Sequence, residues 1–216
     1  MSGTHLRALN GVVGFLTGLG FVAASALTSA QEPSSEPVRA LSASQLISSL
    51  RAGGLVLYFR HTSTDFSQND ERMTSFDDCP TQRNLTDKGR SEARAIGAAI
   101  RELRIPIGKV LASPFCRTME TATLAFGKAE KTMDLRGWHE QVDPKRYAPL
   151  RPYLTAAPAS GTNTVLVGHG NPFRAIAGPP HLMEGEAAVI KPLAGDRYEI
   201  IARIPVERWQ ELDHDR

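Results

Sequence analysis

Three short, mainly apolar segments, each followed at once by polar residues, constrain the fold of this chain more than any other feature of its sequence. They are residues 55–59, 110–112 and 164–167. The first segment is apolar without interruption, which is typical of a strand that is buried on both faces of its sheet. The segments therefore predict strands in the interior of a covered sheet.

Helical segments alternate with these strands. Ser42 or Ser44 can cap a short helix over residues 45–51, and Thr86 can cap a second helix. Apolar residues recur at helical spacing in the second helix, namely at Ala93, Ile96, Ile100 and Leu103. Further helices are predicted over residues 115–126 and 173–177, and further strands near residues 187–190 and 198–204. The alternation indicates an α/β fold with a mostly parallel central sheet.

Side chains that can bind an anion follow the ends of all three predicted strands. Arg60 and His61 directly follow the first strand. Arg117 lies in the first turn of the helix after the second strand, and His169 follows the third strand in a Gly-His-Gly turn. Open α/β sheets bind ligands at the carboxyl ends of their strands. A cation at a helix N-terminus is unfavourable unless an anion binds there, so we expect a phosphate site at this edge of the sheet.

The charge balance limits the possible partners. The chain has 216 residues and a formal net charge of +2, without the overall positive charge that nucleic-acid binding favours. Nucleic acid is therefore not an expected partner. A small phosphorylated substrate needs only a few local cations, so the charge balance does not exclude it.

The N-terminal segment has the pattern of a secretory signal peptide over residues 1–30. No acidic or basic residue occurs between Arg7 and Glu32, and small residues at Ala26 and Ala30 suit cleavage near either position. We therefore expect an exported protein, periplasmic or extracellular. The alternative is an uncleaved anchor, the one case in which a membrane would be a partner. Residues 31–40 are predicted to be a flexible tether, and residues 41–216 a single domain.

The chain has two cysteines, Cys79 and Cys116. An even number in an exported protein permits one disulfide. Two independent thiols, one of them buried, are the alternative, because the sequence gives no distance between the two residues.

Four sequence blocks resemble the histidine phosphatase superfamily, in its phosphoglycerate mutase-like branch. They are LYFRHTSTD, NLTDKGRSEARAIG, VLASPFCRTMETA and VLVGHG, in the order of the family, between Leu55 and Gly170. The resemblance implies a three-layer α/β/α sandwich with a mostly parallel central sheet. It implies no metal and no other cofactor, and the histidines also lack metal-ligand spacing.

The resemblance implies a role for each residue at the strand ends. His61 would attack phosphorus and form a phosphohistidine, which requires a neutral ring with one nitrogen free. Arg60, Arg117 and His169 would bind the phosphoryl oxygens, and the hydroxyl of Thr64 would help to hold them. The chain has Thr62 where most members have Gly or Ala, and this side chain is expected to narrow the pocket or add a donor to it.

The predicted site also needs an acid that protonates the leaving group, and the sequence offers several candidates. Glu140 is the first candidate, because a family carboxylate is expected in this region. The alternatives are no dedicated acid or one of Asp134, Glu184 and Glu186. His139 and His181 are expected to be surface residues.

These features predict a metal-independent phosphomonoesterase, similar to the histidine acid phosphatases, that acts through a phosphohistidine on His61. One alternative is a mutase or phosphotransferase of the same family. The other is a catalytically weak protein that binds a phosphorylated ligand. The signal-peptide pattern favours hydrolysis over a glycolytic role.

Overall fold

The computed structural model describes residues 41–137 and 144–212. The helices in this part of the chain are α1 (Ala43–Ala52), α2 (Asp87–Glu102), α3 (Cys116–Phe126), α4 (Arg151–Thr155), α5 (Gly170–Ala177) and α6 (Arg208–Glu211). The strands are β1 (Val56–Arg60), β2 (Ile107–Ala112), β3 (Glu130–Lys131), β4 (Asn163–Gly168), β5 (Ala187–Leu193) and β6 (Arg197–Ile204). Short 3-10 helices occur at Cys79–Thr81, Met133–Leu135 and Pro144–Leu150. The predicted signal peptide and tether lie outside the described residues, and none of the described helices is long and apolar enough to cross a bilayer.

The six strands form one sheet in the order β3-β2-β4-β1-β5-β6. The strands β1, β2 and β4 pair in parallel, as the sequence predicts, and the two-residue β3, which the sequence does not predict, pairs in parallel with β2. The strands β5 and β6 pair antiparallel with each other, and β5 pairs antiparallel with β1. Only residues 194–196 separate β5 from β6, and a connection of that length permits a hairpin but not a parallel crossover.

Helices cover both faces of the sheet and make the predicted three-layer sandwich. On one face, side chains of α1, α2, α3 and α6 pack on alternate strand residues such as Leu57 and Phe59. Phe59 stacks on Trp209 of α6 with ring centroids 5.7 Å apart. On the other face, side chains of α4, α5 and two of the 3-10 helices pack on the intervening strand residues such as Tyr58 and Leu166. Because both faces are covered, polar strand-end residues collect at the edge where β1, β2 and β4 end.

The predicted helix caps determine where two of these helices begin. The Ser42 hydroxyl accepts the Gln45 backbone N–H at 3.2 Å, and the Gln45 side chain accepts the Ser42 N–H at 3.0 Å. Thr86 caps α2 by accepting the Gly89 N–H at 3.0 Å. Each cap satisfies an amide that would otherwise have no partner in the first turn of its helix.

The long polar connection between β1 and α2 is fastened to the start of α3. A disulfide joins Cys79 to Cys116, with Cα atoms 5.7 Å apart, which confirms the disulfide that the sequence permitted. The Gln82 side chain accepts the Cys116 backbone N–H at 3.0 Å. This connection is therefore held beside the first turn of α3, where Arg117 lies.

Candidate active site

His61 lies at the end of β1 and is 1% exposed. Its Nδ1 lies 3.0 Å from the carbonyl oxygen of Thr62. A carbonyl can only accept a hydrogen bond, so Nδ1 bears the proton and Nε2 keeps its lone pair. The ring is therefore held in the tautomer that a nucleophilic Nε2 requires.

The surroundings of His61 also hold its ring neutral. Burial lowers the pKa of His61 well below 6.5, and the charge of Arg117 lowers the pKa further. Burial and the charge of Arg117 lower the pKa of His169 in the same way. Both imidazoles are therefore neutral near pH 7, so His61 has its lone pair available for attack.

These two histidines make the stability of the protein depend on pH. Above about pH 6.5 both are neutral in the folded and the unfolded chain, and below it only the unfolded chain takes up protons. We therefore expect the free energy of unfolding to decrease as the pH falls from 7.5 to 5.5, where ordinary carboxylates stay ionised. Urea unfolding across this range measures the effect. His61→Asn has one such imidazole fewer, so its free energy of unfolding should depend less steeply on pH. A free energy of unfolding that does not change with pH in the wild-type protein would contradict the prediction.

His169 precedes α5 and faces the same pocket as His61. The ring centroids of His61 and His169 lie 5.5 Å apart. The Nε2 atom of His169 lies 2.8 Å from the Ser113 hydroxyl. The Tyr58 hydroxyl donates to the His169 carbonyl at 2.9 Å and accepts the His169 N–H at 3.1 Å. Contacts from the middle of β1 and from the residue after β2 therefore fix both the ring and the backbone of His169.

Arg60 and Arg117 approach the pocket from β1 and from the first turn of α3. Arg60 donates to the Leu182 carbonyl at 2.9 Å. Arg117 donates to the Asp70 carboxylate at 3.0 Å, and these two side chains are 5% and 3% exposed. Burial lowers the pKa of each arginine, while the carboxylate beside it raises the pKa. The structure thus brings together the four strand-end residues that the sequence singled out.

Arg83 is a further cation of this pocket, and the sequence analysis missed it. Its backbone N–H donates to Asp70 at 2.8 Å, and its guanidinium lies over the ring of Phe66, 4.9 Å from the centroid. Arg83 lies in the irregular connection between β1 and α2, where no periodicity marks a residue that faces the site. The only sequence signal for Arg83 is that it lies two residues after the 3-10 helix that begins at Cys79. This signal points to the site only once the disulfide of Cys79 is known.

The disulfide therefore holds the segments of two pocket arginines, Arg83 and Arg117. We expect the double variant C79S/C116S to lose about 2–4 kcal/mol of stability, because the unfolded chain gains conformational freedom. We also expect a higher KM for phosphate esters, since both arginines lose a fixed position. Urea unfolding and initial rates measure these effects, with wild-type protein in reductant as the matched control. Unchanged stability and KM in reductant, with two free thiols titrated, would contradict the prediction.

The pocket has a volume of about 420 Å³ and has three arginines among its lining residues. It is lined by Arg60, His61, Arg83, Phe115, Arg117, Gly137, His169, Gly170, Asn171 and His181. The charges of the three guanidinium groups, beside the first turns of α3 and α5, fit an anion such as phosphate.

Two of the candidate acids are engaged away from the pocket. Asp134 accepts the Tyr153 hydroxyl at 2.8 Å. Glu186 pairs with Arg203 at 2.7 Å. The first candidate, Glu140, lies outside the described residues, and its role stays a prediction.

Glu184 is the candidate carboxylate that the structure brings to the site. It lies 3.9 Å from the Nδ1 atom of His61 and 3.4 Å from the Arg60 guanidinium. It also accepts the backbone N–H and the hydroxyl of Thr64, at 3.1 and 2.7 Å. All these contacts use its oxygens as acceptors. Glu184 is therefore suited to orient Arg60 beside His61, and less suited to deliver a proton to a leaving group.

Two expectations from the sequence need correction, and a third stays a prediction. The Thr64 hydroxyl donates to Glu184 at 2.7 Å, and its contact with phosphate stays a prediction. The Thr62 hydroxyl lies 3.2 Å from the Thr121 hydroxyl in α3, so Thr62 neither narrows the pocket nor adds a donor to it. His181, expected at the surface, lines the pocket.

Comparison with known proteins agrees with this geometry. The model of the histidine phosphatase superfamily (branch 1) matches residues 56–141. No curated protein matches the chain significantly.

Several solved structures share the fold at low sequence identity. The protein histidine phosphatase SixA, in complex with tungstate, is 16% identical, with a TM-score of 0.52 over 71% of this chain and 98% of its own. A mycobacterial glucosyl-3-phosphoglycerate phosphatase, in complex with VO3, is 15% identical, with a TM-score of 0.54 over 69% of this chain and 98% of its own. The SixA protein of Agrobacterium tumefaciens is 20% identical, with a TM-score of 0.50 over 70% of this chain and 98% of its own. The matched segment contains Arg60, His61 and Arg117, and in this segment and in its fold the chain is similar to the histidine phosphatase superfamily, branch 1.

Proposed function

We propose that the protein is a metal-independent phosphomonoester hydrolase that acts through a phosphohistidine on His61. One observation supports this function most directly. His61, with a free lone pair on Nε2, lines a pocket together with the three arginines Arg60, Arg83 and Arg117. A phosphoryl group bound beside His61 would be neutralised by these guanidinium groups and would present its phosphorus to the lone pair.

Catalysis would proceed in two displacements at phosphorus. In the first, Nε2 of His61 forms a bond to phosphorus, and the bond from phosphorus to the ester oxygen breaks with its electron pair on that oxygen. In the second, water attacks phosphorus, the bond to Nε2 breaks, and inorganic phosphate leaves. The arginines would stabilise the charge on the phosphoryl oxygens in both transition states, because they are fixed in place before the reaction.

The partners of His61 account for how the resting ring is prepared for attack. The Thr62 carbonyl sets the tautomer, while burial and Arg117 hold the ring neutral. Once Nε2 is bonded to phosphorus, the ring is cationic, and Glu184 lies 3.9 Å from its Nδ1 atom. Glu184 would therefore stabilise the intermediate through its negative charge.

The substrate would be a small phosphomonoester. We also propose that the protein acts after export, on the basis of the signal-peptide pattern in residues 1–30. Candidate substrates in that setting include sugar phosphates, phosphorylated envelope lipids and nutrient phosphate esters.

The test is to incubate the protein with p-nitrophenyl phosphate in the presence of EDTA, with and without vanadate. We expect steady release of phosphate that vanadate inhibits and EDTA does not. Rapid quenching in base should trap a phosphoryl group that mass spectrometry maps to His61. Transfer of phosphate to added glycerol in preference to water would instead support a phosphotransferase. Tight binding of phosphate esters without turnover would support a binding protein.

A further inference from the structure

His181 lies at the outer part of the active-site pocket. It is among the residues that line the pocket, and it is partly exposed, whereas His61 is 1% exposed. His61 therefore lies at the base of the pocket and His181 nearer to its mouth. A nucleophile at the base directs the leaving group of an in-line displacement toward the mouth.

The contact with Arg174 determines which nitrogen of His181 bears the proton. The Nη1 atom of Arg174 lies 3.0 Å from the Nε2 atom of His181. A guanidinium has donors only, so Nε2 must accept this hydrogen bond. The proton of the neutral ring is consequently on Nδ1.

The Nδ1 atom of His181 and the guanidinium of Arg60 face the same gap. At Gly170, the first residue of α5, an added Cβ would lie 3.1 Å from Nδ1 of His181 and 3.7 Å from Nη1 of Arg60. Glycine leaves this space open at the N-terminus of the helix. Because Arg60 and Gly170 also line the pocket, the Nδ1–H group is placed to reach a substrate atom.

The segment that contains His181 is held from two sides. Arg203 of β6 donates to the His181 carbonyl at 2.7 Å, and Arg60 of β1 donates to the next carbonyl, that of Leu182, at 2.9 Å. A donor fixed in this way needs little reorganisation when charge develops on a nearby oxygen.

We propose that His181 is a specificity-determining residue that donates its Nδ1–H to the ester oxygen of the leaving group. This inference rests on the proposed function. When the bond from phosphorus to that oxygen breaks, the oxygen takes the electron pair, and water supplies the proton that completes the alcohol. His181 keeps its own proton throughout. Its hydrogen bond stabilises the transition state more when the ester oxygen acquires more negative charge. His181 therefore favours esters of weakly acidic alcohols, such as alkyl phosphates.

Three variants test this role against a merely structural one. H181L removes the donor, and H181N keeps an N–H near the position of Nδ1. R174M removes the hydrogen bond that fixes the tautomer of His181. The measurement is kcat/KM for 2,4-dinitrophenyl phosphate, a good leaving group, divided by kcat/KM for phenyl phosphate, a poorer one. We expect H181L to raise this ratio about tenfold to hundredfold, which is less than the roughly hundredfold to thousandfold loss for one oxyanion donor because the activated ester also loses the hydrogen bond. H181N should reverse most of the rise, and R174M should give a smaller rise.

The outcomes separate this inference from the proposed function. An unchanged ratio in folded H181L, with both esters affected equally, would overturn the role of His181 and leave the phosphatase activity standing. If H181L does not fold, the R174M variant tests the role of His181 instead. A ratio of kcat/KM values in R174M equal to that of the wild type would equally overturn the role. Wild-type protein that hydrolyses neither ester would overturn the proposed function and the role of His181 together.

Discussion

His61→Asn should abolish turnover of p-nitrophenyl phosphate while phosphate still binds. We expect kcat to fall by at least about a thousandfold, because no other group takes over the covalent step. Asparagine is the informative replacement, since its side-chain amide can still donate to the Thr62 carbonyl as Nδ1 of His61 does at 3.0 Å. It lacks only the nitrogen that attacks phosphorus.

Calorimetric titration with inorganic phosphate is the control for this variant. The arginines that line the pocket are Arg60, Arg83 and Arg117, so His61→Asn should retain phosphate affinity within about tenfold. No phosphoryl group should be trapped on the variant after quenching in base. Turnover within tenfold of the wild-type rate would exclude His61 as the nucleophile, whatever the binding result.

Asp70→Asn should destabilise the protein by about 3–5 kcal/mol, because it leaves a buried cation without its counter-charge. Asp70 and Arg117 are 3% and 5% exposed and lie 3.0 Å apart. The same carboxylate oxygen accepts the Arg83 backbone N–H at 2.8 Å, so the variant disturbs a second pocket residue. Urea unfolding measures the loss.

A bound anion should partly restore the stability that Asp70→Asn removes. Inorganic phosphate in the pocket would again neutralise Arg117, so added phosphate should raise the stability of the variant more than that of the wild type. Asp87→Asn is the matched control, since Asp87 pairs with Arg90 at 3.2 Å but is fully exposed. We expect no measurable change there. Equal stability of Asp70→Asn and Asp87→Asn would contradict a structural role for the Asp70 ion pair.

The elements that regular patterns specify could be predicted from the sequence. The run from Leu55 to Phe59, the Thr86 cap and the polar residues at the strand ends identified the sheet, α2 and the edge where the candidate site lies. These features depend on burial, on capping and on the direction of the strands, which act locally along the chain. The short strand β3 was missed because its two residues, Glu130 and Lys131, are exposed and have no apolar pattern.

The residues that hold the site together could not be predicted, because their partners are distant in sequence. Asp70 contacts Arg117 across 47 positions, and Thr64 contacts Glu184 across 120. His181 faces the pocket only because Arg203 and Arg60 fix its segment. Such contacts follow from tertiary packing and leave no periodic signal in the sequence.

The two ends of the candidate site come from different stretches of chain. His61, Arg83 and Arg117 fall within residues 56–141, the segment that matches the superfamily model. The connection between α5 and β5 contains His181, which lines the same pocket, and Leu182 and Glu184, which contact Arg60. Under the proposed function, substitutions at the mouth of the pocket would change which alcohol departs and leave the residues that capture phosphorus in place.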